Sequence, residues 1–276
     1  MGRLSNLQQR VLSAIILVIP VLALVVVGGI WYAAVIYAFF AIALGEFTHL
    51  MARRGHRVSG GLMLLWLALF VSAHLWPDDR LQAAGMALLL LITMAWTVVR
   101  FRQGTANAVT GFGLTLAGSF YVGWAGAHLV GLRLLEDGLF WTLTLAAAVW
   151  SADTAAYLVG SLVGRTPLIP DISPRKTWEG YLGGVILSAL ITGGFMLLWR
   201  ALGAGDAFTF VQGVLIGLSI GIVAPLGDLG MSVIKRYARV KNSSNLIPGH
   251  GGLLDRVDAI LVGCLLLYYY VTLFVI

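Results

Sequence analysis

The sequence predicts an all-α fold, a polytopic integral-membrane helical bundle of about nine transmembrane helices with a cytoplasmic N-terminus. Three observations predict it. The 276-residue chain is 59% hydrophobic and only 11% charged, with a mean hydropathy of +0.92, whereas a water-facing surface needs about a quarter charged residues. Stretches without a charge, such as Val11 to Gly45 and Ala259 to Ile276, reach the roughly 18 residues that read as a bilayer-crossing helix. The cations, finally, sort to one side of the apolar runs.

Apolar runs between charge clusters place the spans at residues 11–29, 31–50, 60–76, 82–100, 108–132, 139–163, 180–200, 211–233 and 257–276. The opening MGRLSNLQQR followed by an apolar run imitates a signal peptide, but no small-residue cleavage site is evident and spans continue, so a retained first helix is expected. Alternate loops then hold 15 of the 18 Lys and Arg residues: Arg3, Arg10, Arg53, Arg54, Arg57, Arg100, Arg102, Arg165, Arg175, Lys176, Lys235, Arg236, Arg239, Lys241 and Arg256. The opposite loops hold Arg80, Arg133 and Arg200 beside Asp78, Asp79, Glu136, Asp137 and Asp206. Cytoplasmic loops carry such an excess, which places the N-terminus inside, the C-terminus outside, and loops 164–179 and 234–256 in the cytoplasm. The protein is expected in a bacterial cytoplasmic (inner) membrane, its active site facing the cytoplasm.

No repeat or linker divides the chain, so one integral-membrane domain over 1–276 is expected, with N-terminal helices over 1–135 and catalytic helices and loops over 136–276. The 34 glycines suit close helix packing in lipid. Trp31, Tyr32, Trp76, Trp199 and Tyr268 to Tyr270 fall near span ends and are expected as interfacial anchors. The single cysteine, Cys264, excludes an intrachain disulfide and a thiolate cluster, and reads as a packed side chain. The net charge of +6 follows membrane sidedness and does not imply nucleic acid.

Ionisable groups inside spans are costly and mark function, which singles out Glu46, Asp153 and Asp228. Glu46 reads equally as a hydrogen-bonded helix residue. In APLGDLGMSVIKR, Pro225 frees a carbonyl one turn earlier, and Asp228 lies about 10 Å along the helix from Lys235, near the cytoplasmic face. The segment Ser232 to Asp258 carries Lys235, Arg236, Arg239, Lys241, His250 and Arg256 and ends in Asp255 and Asp258, spaced i, i+3 on one helical face. Pro248 and the following glycines, Gly251 and Gly252 among them, form a tight turn before the last helix. Carboxylates in this setting suit Mg²⁺, a hard cation that keeps substrate phosphates in its shell; helix-dipole compensation is the structural alternative. His250 has no second histidine or cysteine nearby, so zinc is not indicated, and loop, phosphate or acid–base roles stay open. In SPRKTWEG (Ser173 to Gly180), Arg175 and Lys176 can neutralise phosphate, and Glu179 can bind metal or orient the lysine. The same cations also serve as a topology signal. GSLVGRT (Gly160 to Thr166) resembles a phosphate loop but has one residue too few between its glycines; a GxxxG helix contact explains Gly160 and Gly164 better.

The run S-x-I-K-R-x4-K-N-x4-I-P-G-H-G-G-L-L-D-R-V-D, from Ser232 to Asp258, resembles the signature of phosphatidate cytidylyltransferases, the CDP-diacylglycerol synthases. WSADTAAY (Trp150 to Tyr157), SPRKTWEG and the GDL around Asp228 resemble family blocks in the same order, whereas ALGEFTHL around Glu46 and FYVGWAGAHL from Phe120 are looser. The chain departs from the family pattern at Asn242, where the family has Asp; this puts metal affinity or rate in question. The resemblance implies transfer of cytidylyl from CTP to phosphatidic acid, giving CDP-diacylglycerol and pyrophosphate. It implies Mg²⁺, with room for a second, monovalent or divalent cation, held by Asp228, Asp255, Asp258, Asp153 and Glu179. Lys176, Lys235, Arg236, Lys241, His250 and Arg256 would be catalytic, and Ser173, Arg175, Lys176, Gly251 and Gly252 would bind the nucleotide. A homodimer is compatible with it. A transporter built on intramembrane Asp residues and a CTP-dependent polyprenol or phytol kinase are the competing readings.

Overall fold

A computed structural model describes residues 22–246 and 251–275. Residues 11–21 of the first expected span fall outside these, and with them Arg3, Arg10 and the retained-first-helix reading; so do Pro248, Gly249 and His250. In order, the elements are α1 (Gly29–Ala52), α2 (Gly60–Leu75), α3 (Asp79–Arg102), α4 (Ala108–Gly118), a π-helical segment (Ser119–Trp124), α5 (Ala125–Leu134), α6 (Gly138–Val163), β1 (Pro167–Ile169), β2 (Ser173–Thr177), α7 (Trp178–Ala201), α8 (Phe210–Val223), α9 (Pro225–Tyr237) and α10 (Leu254–Phe274). Among the described residues, six helices are long and apolar enough to cross a membrane, with α8 and α9 read as one, and α2 is a shorter apolar helix. The protein is an all-α integral-membrane protein. Helix ends agree with the expected spans to within three residues, with two exceptions. The span expected at 108–132 runs through the π-helical segment, and the one at 211–233 is broken at Ala224, because Pro225 has no amide to continue the ladder and instead opens α9.

The described residues form two compact units, one reaching Leu134 and including Tyr237–Arg256, the other comprising Leu135–Arg236 and the chain from Val257. In the first, residues 22–27 are helical, and Gly28 and Gly29 take positive φ of 68° and 57°, a left-handed turn that permits the chain to enter α1. The core of this unit is aromatic and aliphatic: Phe40, Leu44, Phe47 and Leu50 of α1 and Met63, Trp66 and Leu67 of α2, which packs on it, are all buried. Gly118 and Gly126 make room for the rings of Phe47 and Phe40. Asp78 caps α3, its Oδ1 accepting from Arg80 N and Leu81 N at 3.0 Å. α3 buries only Thr93 and presents Leu88, Leu91 and Val98 outward, as a lipid-facing helix does. Trp31 and Trp76 are well exposed, as anchors should be, but Tyr32 is buried in the core.

In the second unit, α7 lies against both α6 and α8 through small residues. A side chain at Gly180 or Gly184 would run into the carbonyls of Ala156 or Ala152 of α6, and one at Gly217 of α8 into that of Ser188. Ser188 Oγ donates to Ala148 O at 2.9 Å, tying α7 to α6. Gly160 lies against Gly180 of α7, the close helix contact expected of it, whereas Gly164, just past the end of α6, meets Thr177 of the hairpin instead. Gly263 brings α10 against Val149 and Leu145 of α6, and Cys264 is fully buried. The loop expected at 164–179 is instead an antiparallel hairpin, with Pro167 paired to Thr177 and Ile169 to Ser173. These strands are too short for an alternating pattern to be visible in sequence.

Candidate active site

The second unit gathers Lys176, Asp228 and Asp258. Asp228 falls in the first turn of α9, where the unpaired amides of the helix start favour a negative charge. Gly227 beside it approaches α10 so closely that an added Cβ would collide with the carbonyl of Asp258. That contact sets the two carboxylates near each other. Asp258 is 7% exposed, its Oδ1 accepts from Ala259 N at 2.8 Å, and it lies within electrostatic reach of Asp228, Lys235 and Asp153. Lys176 Nζ makes an ion pair of 2.6 Å with Asp228 Oδ2, and Ser232 Oγ donates to Oδ1 of the same carboxylate at 3.4 Å.

The hairpin delivers Lys176. Strand alternation puts Arg175 and Lys176 on opposite faces, with Arg175 exposed and Lys176 half-buried. Thr177 then caps α7 by accepting from Gly180 N at 3.2 Å. Glu179 is turned onto the entry of the hairpin. Its Oε2 accepts from Arg165 N at 3.1 Å and its Oε1 from Thr166 Oγ1 at 2.8 Å. Glu179 therefore supports the hairpin that carries Ser173, Arg175 and Lys176. Arg236 Nε reaches Ile172 O at 3.4 Å, holding the end of α9 to the same turn.

The first unit contains the other half of the Ser232 to Asp258 run. Asp255, in the first turn of α10, accepts from Gly252 N at 3.0 Å, which is half of a capping box, and from Ser243 N at 2.8 Å, with the Ser243 hydroxyl oxygen 2.9 Å away. Gly251 has φ of +85°, and a side chain on Gly252 would strike Ser243 and Glu46. The glycines thus shape the turn, and the Gly252 amide is engaged by Asp255. Lys241, Asn242 and Arg256 are exposed on either side of this loop. Before it, the His56 ring bonds the Tyr237 hydroxyl edge to edge, and Arg54 covers the Tyr237 face at 5.0 Å. Motif reading did not single out Ser243, Ser244, His56 or Tyr237. For the serines, the available signal was a buried glutamate that needs donors and an Asn-Ser-Ser-Asn run able to supply them.

Among the described residues, no three His, Cys, Asp or Glu side chains are close enough together to hold a metal ion. Mg²⁺ does not require that. It is commonly held by one or two carboxylates plus substrate phosphates, and Asp228, in the first turn of α9, with Asp258 of α10 is such a pair of oxygen donors. The donor set fits a hard divalent cation.

The described geometry therefore pairs cations with carboxylates at helix ends in an apolar protein, and comparison with known proteins agrees with a nucleotidyl-transfer chemistry. The model described as the cytidylyltransferase family matches residues 8–274. A Bacillus subtilis protein named phosphatidate cytidylyltransferase is 34% identical, covering 98% of this chain and 99% of its own length. Proteins of the same name from Synechocystis and Brucella melitensis are 33% and 35% identical, covering 96% and 98% of this chain and 96% and 95% of theirs. With so nearly complete a match, running through both units and every segment that carries these charges, the chain belongs to the cytidylyltransferase family.

Proposed function

We propose that the protein is a phosphatidate cytidylyltransferase, which converts CTP and phosphatidic acid to CDP-diacylglycerol and pyrophosphate. The observation that carries this reading is the Lys176–Asp228 ion pair beside Asp258, held by a cytidylyltransferase at the ends of apolar helices. A non-bridging oxygen of the lipid phosphate attacks the α-phosphorus of CTP in line. The bond from that phosphorus to the bridging oxygen of the β-phosphate breaks, and pyrophosphate departs with the electron pair. A phosphate monoester is already nucleophilic, so the protein contributes mainly position and charge. Lys176, released from Asp228 by a competing phosphate, neutralises an equatorial oxygen, with Arg175, Lys235 and Arg236 in support. A divalent cation at Asp228 and Asp258, assisted by Asp153, would supply charge neutralisation at the α-phosphate and the leaving pyrophosphate.

Nine spans with loops 164–179 and 234–256 in the cytoplasm complete the proposal, because CTP arrives from water and phosphatidate presents its phosphate at the headgroup plane. Purified protein in mixed micelles is the test. With CTP, phosphatidate and Mg²⁺ it should form CDP-diacylglycerol and pyrophosphate, and chelation should stop it. Asp228→Ala and Asp258→Ala should each lower kcat by about 10²–10³-fold. Absence of product from the wild-type protein refutes the activity, and wild-type turnover in both variants refutes the roles of Asp228 and Asp258.

A further inference from the structure

Glu46 lies in an apolar stretch of α1 and is 7% exposed, yet both of its carboxylate oxygens are fully engaged. Oε1 accepts from Ser244 Oγ at 2.6 Å and from Leu253 N at 2.9 Å. Oε2 accepts from Ser243 Oγ at 2.8 Å and from Leu254 N at 2.9 Å. Leu254 is the first residue of α10, so a carboxylate 208 positions away in sequence caps that helix and also grips the serines that precede its turn. Gly252 is bare where this happens, since any side chain there would overlap Ser243 and press on both Glu46 oxygens. Ser243 links the clamp onward to Asp255, its hydroxyl lying 2.8 Å from Glu46 and 2.9 Å from the Asp255 carboxylate.

Desolvating a carboxylate is costly, the surrounding donors offset that cost, and removing Glu46 alone would strand them. The same charge-assisted bonds also fix one path for the loop residues that make them. We propose that Glu46 is a positioning residue for cytidylyl transfer, fixing residues 243–244 and 252–254 so that Lys241, Asn242, Asp255 and Arg256, which adjoin them, are presented in a single arrangement. It rests on the reading of the protein as a phosphatidate cytidylyltransferase. The amide of Glu46→Gln keeps the volume but turns an NH₂ toward donors and breaks the clamp on one side.

The experiment combines kinetics with hydrogen exchange on the full-length protein in lipid micelles. Glu46→Gln should lower kcat roughly 10–100-fold, as expected for misplaced groups, while KM for phosphatidate stays within about twofold. Ser244→Ala should give a smaller loss of the same kind, and the double variant should be no worse than Glu46→Gln. Amides at 243–246 and 251–254 should exchange faster in Glu46→Gln, with those of α1 and α2 unchanged. Wild-type kcat, additive losses, or unaltered loop exchange would each overturn the proposal. If Glu46→Gln does not fold, Ser244→Ala decides the matter alone, and wild-type rate with wild-type loop exchange in that variant counts against it. A wild-type protein without cytidylyltransferase activity defeats the functional reading, and the exchange measurement still decides whether the clamp exists.

Discussion

Lys176 and Asp228 have side chains 30% and 34% exposed, and a pair that wet contributes about 0–1 kcal/mol to stability. Such a pair at 2.6 Å on a hairpin and a helix start is better explained by chemistry than by folding. Lys176→Met should therefore leave detergent-solubilised thermal unfolding within about 1 kcal/mol of wild type. Its turnover should fall about 10²-fold, measured as pyrophosphate release. A variant that unfolds early but keeps its specific activity assigns the pair to structure instead. Both residues were legible in sequence, because a charge flanked by apolar or constrained residues stands out. The partners of Glu46 were not: Ser243 and Ser244 are ordinary loop residues, and 197 positions separate Ser243 from the carboxylate it serves.

Among the elements, the helices were legible almost to their ends, since long uncharged runs leave little choice of structure in lipid. The hairpin of β1 and β2 was not, because its three and five residues hold no period and its pairing is fixed instead by Thr166, Thr177 and Glu179 around it. The break between α8 and α9 was half legible: Pro225 announced a disturbance, but its use as the first residue of a new helix depends on Asp228 and Gly227 being wanted at that helix start. Packing of α6 on α7 sets where the hairpin emerges. Gly184→Val should accordingly force these helices apart and destabilise the protein by about 1–3 kcal/mol, since the added Cβ alone lies 2.8 Å from Ala152 O. Thr177→Ala, which removes only a cap, should cost about 1 kcal/mol. Thermal unfolding in one detergent ranks the two, and equal effects would show that close α6–α7 packing matters no more to stability than a single cap.

For the whole molecule, the distribution of Lys and Arg gives an orientation that accessibility can test. Cys264 is fully buried and provides a silent background for single-cysteine labelling. Asp79→Cys, at the start of α3, should react with a membrane-impermeant maleimide in intact cells, whereas Asp171→Cys, in the hairpin turn, should react only after permeabilisation. The opposite pattern reverses the orientation and removes the hairpin from the CTP-containing side. The outward leucines and valines of α3 carry a consequence for kinetics. A protein solvated by acyl chains meets phosphatidate by lateral diffusion within a two-dimensional phase. Diluting the lipid substrate with inert detergent at constant bulk concentration should therefore slow the reaction, while CTP saturation follows its ordinary aqueous concentration. The enzyme would thus read the composition of its membrane as a mole fraction.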